Sequence, residues 1–306
     1  MNGKRCGALS GRSQLSVAAV KRRKTCMACY DRAREEIKSV HTVTELPQQS
    51  TAERIIVCSR VLSTKLAKMS FSPPVSHVYN TYEYALESFE DYVGKYARSS
   101  CEVLLLGMNP GPFGMVQTGI PFGDTDTVNS WLRVKAWSQS DAGSLPEQHP
   151  KRPILGSRCE VIERSGQRLW SLARNRWDKP EGFFQRFFVY NYCPVAFVRD
   201  SPGGSNLTPD KLRTGELQPL QTACDEALRE VIEALGPEIV VGVGKYAEGC
   251  ARRCAPPGVR TGCILHPSPA SPAGNGAGRW EELAAQQLAA LGVELPPRLA
   301  GAISVK

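Results

Sequence analysis

The sequence predicts an α/β protein with a mainly parallel sheet and helices on both faces. Three observations support this fold class. Short apolar runs of strand length recur along the chain, helical stretches separate them, and the runs end in turns rich in glycine or proline. Strands that alternate with helices are typical of βαβ units, and such units form parallel sheets.

Length and composition limit the class of protein further. At 306 residues the chain has room for one large domain or two small ones. No apolar run approaches the ~20 residues that a membrane-spanning helix needs, and we find no secretory signal segment. The 11 cysteines are scattered along the chain, which suits reduced thiols in an intracellular protein better than a disulfide framework.

Residues 1–60 are predicted to be a basic, disordered N-terminal tail, and residues 61–306 to be the folded domain. The tail holds twelve Lys and Arg against five Asp and Glu, so it carries +7 of the net charge of +8. Its run Lys21-Arg22-Arg23-Lys24 suits nuclear import or a nucleic-acid patch, although a solvated tail and a mitochondrial transit peptide remain open. We expect a nuclear protein. Cys26 and Cys29 supply only two of the four ligands that a structural zinc needs, so no metal is predicted.

The first half of the domain is organised around one strand. Residues 81–98 have the spacing of an amphipathic helix, and residues 103–107 form an apolar run that we assign to the first strand. Residues 127–137 and 165–177 are predicted to be helical, with a polar, proline-containing excursion over residues 139–158 between them.

The second half supplies three more strands. Residues 187–192 are rich in aromatic residues and are closed by Pro194, which indicates the second strand. Residues 201–209 are predicted to be a loop in which Thr208 caps a helix that ends near residue 235. The third and fourth strands are predicted at residues 239–243 and 262–265, and a final helix at residues 280–291.

The loop after the first strand is the strongest candidate for a ligand site. Residues 107–114 contain three glycines and two prolines, which cannot continue a strand or a helix. Such a loop allows the backbone to approach a ligand closely. Asn109 is its one polar side chain, and ligands of open α/β sheets bind at the carboxyl ends of the strands.

Polar side chains also follow two other strands, and a parallel sheet brings these ends to one edge. Asn109, Asn191 and His266 each stand near the end of a predicted strand, and Phe122 lies on a constrained loop. Phe122 can stack on a planar ligand, Asn191 can pair with an edge that has a donor and an acceptor, and His266 can stabilise developing negative charge. The set predicts a site for a planar, hydrogen-bonding ligand.

The same residues carry a resemblance to a known family. Residues 107–115 (GMNPGPFGM) and 117–123 (QTGIPFG) resemble the first motif of the single-strand-selective monofunctional uracil-DNA glycosylases. His266-Pro267-Ser268-Pro269 resembles the second motif of the wider uracil-DNA glycosylase superfamily. The likeness extends from about residue 65 to the C-terminus and does not include residues 1–60.

The resemblance implies a fold, an activity and a role for each site residue. It implies a three-layer αβα sandwich with a four-stranded mainly parallel sheet. It also implies removal of uracil and of oxidised 5-substituted uracils, such as 5-hydroxymethyluracil, from single- and double-stranded DNA to start base excision repair. Carried over, Asn109 positions the hydrolytic water, Asn191 reads the uracil edge, Phe122 stacks on the flipped base and His266 supports charge on O2. Met108 and Gly111 line the pocket near the 5-position.

The resemblance also places a DNA-inserting wedge after the second motif. The candidate DNA-binding residues are Ser268, Ala270, Ser271, Pro272, Ala273, Gly274, Asn275, Gly276, Ala277, Gly278 and Arg279. This stretch departs from the family pattern, because Ala270 stands where a basic residue is common and the loop is longer and richer in glycine. We expect it to be flexible, and it has no large apolar side chain to fill the gap left by a flipped base.

Competing functions are weaker. Gly242-Val243-Gly244-Lys245-Tyr246-Ala247 matches a dinucleotide-binding turn, but residues 249–280 hold no acidic residue for the ribose. After the first motif, Cys159 and Cys193 are too far apart to resemble the second ligand pair of an iron–sulfur glycosylase of the same superfamily. A non-catalytic reader of damaged or single-stranded DNA stays open. We expect no cofactor, no membrane partner, a monomer, and DNA containing uracil or modified uracil as the partner.

Overall fold

The computed structural model describes residues 49–137, 145–302 and 305. Most of the expected tail, with its basic run and Cys26 and Cys29, therefore lies outside the described residues. In this part of the chain no helix combines the length and apolar composition needed to cross a bilayer. The helices are α1 (Thr51–Leu66), α2 (Thr81–Tyr84), α3 (Leu86–Tyr96), α4 (Met115–Thr118), α5 (Arg164–Arg174), α6 (Pro180–Phe184), α7 (Thr214–Leu235), α8 (Lys245–Cys254) and α9 (Arg279–Ala290). The strands are β1 (Val75–Asn80), β2 (Val103–Gly107), β3 (Phe187–Asn191), β4 (Val195–Arg199), β5 (Asn206–Leu207), β6 (Ile239–Val243) and β7 (Arg260–Ile264).

A four-stranded parallel sheet in the order β3-β2-β6-β7 forms the centre of the fold. Every residue of β2, β3 and β6 is buried, which is why these strands are continuous apolar runs in the sequence. Burial of one leucine side chain of β2 contributes about 2 kcal/mol. The predicted three-layer α/β fold with a four-stranded parallel sheet is confirmed, and all four predicted strands are present.

The helix predicted over residues 127–137 is shorter and of a different type. Residues Thr127–Leu132 form a π-helical turn that ends at Arg133, whose backbone is left-handed with φ +50°. The helix predicted over residues 81–98 is divided into α2 and α3 at Ala85. Part of the excursion predicted over residues 139–158 lies outside the described residues.

A second, antiparallel sheet in the order β1-β4-β5 was not predicted. Its strands are hard to read from sequence, because β1 shifts register between Val75 and His77 and β5 has two residues. The loop predicted at residues 201–209 therefore contains strand β5. Thr208 makes no capping bond and precedes a 3₁₀ turn, Pro209–Lys211, so that α7 begins only at Thr214.

Helix α1 places the start of the domain earlier than predicted. Ser50 and Glu53 form a capping box: Ser50 Oγ accepts from Glu53 N at 3.2 Å, and Glu53 Oε2 accepts from Ser50 N at 2.8 Å. Ile55 is fully buried, and Arg54 pairs with Glu233 of α7 at 2.9 Å. The boundary expected at residue 60 is therefore wrong by about ten residues, since the described domain begins at Gln49.

Two truncations distinguish the tail from the domain. Deletion of residues 1–48 is expected to preserve the fold and to weaken non-specific DNA binding with a flatter salt dependence, because this segment holds ten basic and four acidic residues. Deletion of residues 1–60 removes Ile55 and half of α1, so it should lower the free energy of unfolding by at least ~3 kcal/mol. Thermal unfolding of both proteins measures the difference. Equal melting temperatures would mean that α1 contributes nothing to stability.

Candidate active site

A cavity of about 360 Å³ lies at the carboxyl ends of β2 and β3. This volume is within the range of small-molecule sites. It brings together seven of the residues predicted from sequence: Met108, Asn109, Gly111, Phe122, Asn191, His266 and Ser268. Another cavity of about 430 Å³ borders α5 but contains none of them. We assign the site to the smaller cavity because the polar groups of the strand ends face it.

Gly107, the last residue of β2, makes the floor of the cavity possible. It lies opposite Asn191 in the register of β2 and β3. A Cβ atom on Gly107 would lie 2.0 Å from Asn191 Oδ1 and 2.6 Å from Phe122 Cε2. Only a residue without a side chain lets the amide and the aromatic ring approach the strand this closely.

Asn191 presents a buried acceptor without a partner. Asn191 is 2% exposed, and its Nδ2 donates to the thioether sulfur of Met115 at 3.1 Å. Within the described residues, Oδ1 has no hydrogen-bond partner. An unsatisfied buried acceptor costs about 1–3 kcal/mol, and such groups in native structures point to a ligand or a water. The amide therefore offers an acceptor, and the second hydrogen of Nδ2, to a ligand.

Phe122 is held in a strained conformation at the cavity wall. Its backbone is left-handed with φ +58°, which costs a non-glycine residue about 1 kcal/mol. The surrounding turn is fixed by a hydrogen bond of 2.6 Å from Thr118 Oγ1 to the carbonyl of Gly123. A Cβ on Gly166 would lie 1.9 Å from the Phe122 carbonyl oxygen, so α5 approaches this backbone closely. The ring is thus positioned before any ligand binds.

His266 is set up as a neutral hydrogen-bond donor. The backbone N–H of Ser268 donates to Nδ1 at 3.1 Å, which leaves the proton of a neutral ring on Nε2. Burial lowers the pKa of His266, so the neutral form dominates near pH 7. Its ring centroid lies 6.2 Å from that of Phe122, across the cavity. Gly244, with φ +96°, lies against His266, so this part of the dinucleotide-like turn serves packing.

Asn109 follows the end of β2 and is half-buried in the cavity wall. Its Nδ2 donates to the carbonyl of Val195 at 3.5 Å, which orients the amide toward the start of β4. The residue also lines the cavity. A neutral amide does not accept a proton near pH 7, but it can hold a water molecule in place.

Seven further residues of the wall were not assigned to the site from the sequence: Pro110, Pro112, Met115, Glu163, Ser165, Asn206 and Thr208. Glu163 precedes α5 and accepts from the Phe113 N–H at 3.3 Å. Burial raises the pKa of the Glu163 carboxyl, and this effect outweighs the backbone N–H groups that lower the pKa. No motif or periodicity marks Glu163, whereas Asn206 and Thr208 lie in residues 205–209, a segment that also fits the family resemblance.

The predicted DNA-binding loop lies outside the cavity, except for Ser268. It forms a 3₁₀ turn at Pro272–Gly274, and Gly274 is buried beside Trp280. The buried guanidinium of Arg168 donates to Pro267 O and to Asn275 Oδ1, both at 3.1 Å. Arg168 therefore ties the middle of this loop to α5, while the expected flexibility of the loop stays a prediction. Nη1 of Arg279 lies 3.6 Å from Oε2 of Glu282, so the Arg279 guanidinium already has an ion-pair partner.

Among residues 49–137 and 145–302, no three His, Cys, Asp or Glu side chains are grouped to hold a metal ion. The side chains that line the cavity include amides, an imidazole, an aromatic ring and one carboxylate. These groups can bind a planar ligand by its edge and face, and they can stabilise negative charge on it.

Comparison with known proteins shows which family this chain resembles. The profile of the Uracil DNA glycosylase superfamily matches residues 93–288. A single-strand selective monofunctional uracil-DNA glycosylase of Rattus norvegicus is 42% identical over 248 residues, which cover 80% of this chain and 86% of the rat protein. Proteins of the same description from Mus musculus and Bos taurus are 41% and 42% identical. The crystal structure of wild-type Pedobacter heparinus SMUG2 has the same fold, with a TM-score of 0.53 and 18% identity over 72% of this chain and 88% of that one.

Proposed function

The chain belongs to the Uracil DNA glycosylase superfamily, and we propose that it excises uracil and oxidised 5-substituted uracils, such as 5-hydroxymethyluracil, from single- and double-stranded DNA. Membership of this superfamily and the similarity to the three mammalian proteins show that the chain is a monofunctional uracil-DNA glycosylase, a hydrolase of N-glycosyl bonds without lyase activity. The activity on oxidised 5-substituted uracils, the activity on both single- and double-stranded DNA, and a role in base excision repair are our proposal.

The observation that carries this proposal is the buried Oδ1 of Asn191, which has no hydrogen-bond partner in the described part of the chain. Uracil presents N3–H, a donor, beside O4, an acceptor. Oδ1 accepts from N3–H while Nδ2 donates its second hydrogen to O4. Cytosine reverses both signs at these positions, so it would leave the buried amide unpaired. Because Met115 accepts the first hydrogen of Nδ2, the amide is held in the orientation that fits uracil.

The leaving base is stabilised by His266. Breaking the glycosidic bond leaves negative charge on uracil, much of it on O2. A neutral imidazole with its proton on Nε2 donates to that oxygen without needing a proton from solvent. Phe122 holds the base by stacking, and Asn109 orients the attacking water. None of the described residues that line the cavity is a lysine, which is consistent with hydrolysis without a Schiff base.

The proposed range of 5-substituted bases rests on the part of the cavity wall that Met108 and Gly111 form, beside the carboxylate of Glu163. Gly111 has no side chain, and it lies in the same wall as Met108. A small polar substituent could displace a water at this position. The target base must be flipped from a duplex or met in a single strand. The proposed DNA surface is Ser268 together with the braced loop from Ala270 to Arg279. Nuclear action as a monomer completes the proposal, and the basic run near residue 21 supports the nuclear part.

A gel assay on labelled oligonucleotides tests this function. Uracil is placed in a single strand, opposite guanine and opposite adenine, and 5-hydroxymethyluracil in the same contexts. We expect strand cleavage only after alkali, because a monofunctional enzyme leaves an intact abasic strand. Single-stranded or mispaired uracil should react faster than uracil opposite adenine, since less unstacking is required. Absence of alkali-labile product in every context would refute the proposal.

Changing Asn191 to aspartate should alter base choice. A carboxylate cannot donate to O4 of uracil, so we expect uracil excision to fall by about tenfold to a hundredfold, in line with ~1–3 kcal/mol for a lost buried partner. The same carboxylate can accept from the amino group of cytosine, so weak cytosine excision should appear. Asn191→Ala is the control, because it removes both functions. Equal uracil rates in the parent and both variants would exclude Asn191 as the reader.

A further inference from the structure

The hydrolytic water must lose a proton, and the residues assigned so far cannot take it. Asn109 is a neutral amide. His266 has Nδ1 occupied by the Ser268 N–H and its proton on Nε2, so it acts as a donor. A general base within reach of the water would therefore have to be another group of the cavity wall.

Glu163 is the one carboxylate among the described residues that line the cavity. Glu163 is half-buried, and it lies close to the loop after β2 (residues 107–114). A Cβ on Gly111 would lie 2.5 Å from Glu163 Oε2, and the Phe113 N–H donates to the same oxygen at 3.3 Å. The carboxylate therefore lies directly against the backbone two residues after Asn109. The amide that orients water and the carboxylate belong to the same wall.

The groups around Glu163 favour a stronger base than an exposed glutamate. Burial is the main cause of its raised pKa, and the charge of Asp124 adds to it. The backbone N–H groups of Phe113, Gly114 and Ser165 act in the opposite direction. The thiol of Cys159 and the neutral ring of His266 also face this region. A carboxylate with a raised pKa accepts a proton more readily once it is ionised.

We propose that Glu163 is the general base of uracil hydrolysis, an inference that rests on the proposed function. The water oxygen forms a bond with C1′ while its proton moves to a carboxylate oxygen of Glu163. The bond between C1′ and N1 breaks, and its electron pair leaves with uracil as an anion that Nε2–H of His266 stabilises at O2. Glu163 then returns the proton to solvent. The ionised carboxylate also attracts the positive charge that develops on the sugar.

Glu163→Gln separates this role from a purely structural one. Glutamine keeps an oxygen that can accept from the Phe113 N–H, and it has the same size, but it is not basic. We expect the single-turnover rate on single-stranded uracil DNA to fall by about a hundredfold or more, within the range for general base catalysis. Binding to an oligonucleotide with non-cleavable 2′-fluoro-2′-deoxyuridine should be unchanged. Glu160→Gln, at an exposed position nearby, is the matched control and should keep the parental rate.

The pH profile gives a second readout. The base must be ionised, so the parental rate should rise with pH through the raised pKa of Glu163 and then level off. This acid limb should be absent in Glu163→Gln and retained in Glu163→Asp, which keeps a carboxylate. If Glu163→Gln fails to fold, Glu163→Asp decides: a lowered rate with an acid limb supports the base, and a rate independent of pH overturns it. A Glu163→Gln rate within threefold of the parent also overturns it.

The two proposals fail in different ways. If the parent excises no uracil, the proposed function fails and the base assignment fails with it. If the parent excises uracil and Glu163→Gln does so equally fast, only the base assignment is refuted, and Glu163 serves to brace the backbone at Phe113.

Discussion

Replacing Asn109 by alanine is expected to lower the rate of uracil excision about a thousandfold, which corresponds to about 4 kcal/mol of transition-state stabilisation. Asn109 projects from the loop after β2, and its Nδ2 donates to the carbonyl of Val195 at 3.5 Å. This contact holds the amide at the cavity that Asn109 lines, where the amide can hold the attacking water. Contributions from positioning a reactant can reach several kcal/mol, so loss of the amide should act on the chemical step.

Single-turnover rates and binding to 2′-fluoro-2′-deoxyuridine DNA measure the two parts of this prediction separately. Binding should change less than threefold, because Asn191, Phe122 and His266 still hold the base. Asn206→Ala is the matched control: it removes an asparagine from the same cavity wall, at the exposed end of β5, and should change the rate only a few-fold. A rate for Asn109→Ala close to that of the parent would show that another group orients the water.

Gly107→Ala is expected to lower uracil excision more than a hundredfold, because the new methyl group fills the floor of the cavity. The new Cβ would lie 2.0 Å from Asn191 Oδ1 and 2.6 Å from Phe122 Cε2, distances at which one of these side chains must move. Phe122 is already held at φ +58° and Asn191 is buried in β3. Moving either side chain away from the new methyl group would therefore cost free energy of folding. Overpacking of this kind costs about 1–3 kcal/mol of stability.

Activity and stability must be measured together for this variant. We expect uracil excision to fall more than a hundredfold at a temperature where thermal unfolding shows a fully folded protein, with binding to non-cleavable uracil DNA lost as well. Gly94→Ala is the control, since a Cβ there meets nothing within 4 Å and the position is exposed in α3. It should retain activity and gain up to about 1 kcal/mol of stability. Parental activity in Gly107→Ala would mean that Asn191 and Phe122 do not form the base site.

Much of the site could be predicted because its residues stand at strand ends. The apolar runs before Asn109 and Asn191 indicate buried parallel strands, and parallel strands meet at one edge. The register confirms this arrangement, since Gly107 lies directly opposite Asn191. Phe122 and His266 lie on loops whose glycine and proline content marks them as turns, and the structure brings all four residues to one cavity.

Helix α1 was missed although its sequence carried a signal. The excess of basic residues suggested a tail, but Ser50-Thr51-Ala52-Glu53 is a capping-box sequence that marks a helix start. The burial of Ile55 depends on α7, a partner about 170 residues away, and net charge gives no information about such a contact.

The sequence by itself determined the parallel sheet, the edge of the sheet proposed as the ligand site and the residues of the first and second motifs. These features depend on local chemistry: apolar runs that must be buried, and glycines and prolines that must turn. Only the tertiary structure decided that Glu163 lies against Gly111 and that Arg168 holds the loop after His266. It also decided that Asn191 Oδ1 is buried with no hydrogen-bond partner among the residues that the structure describes. Each of these depends on contacts between segments tens of residues or more apart in the chain. A single polar residue in a sequence does not reveal which distant backbone it will meet, because that is set by how the elements pack.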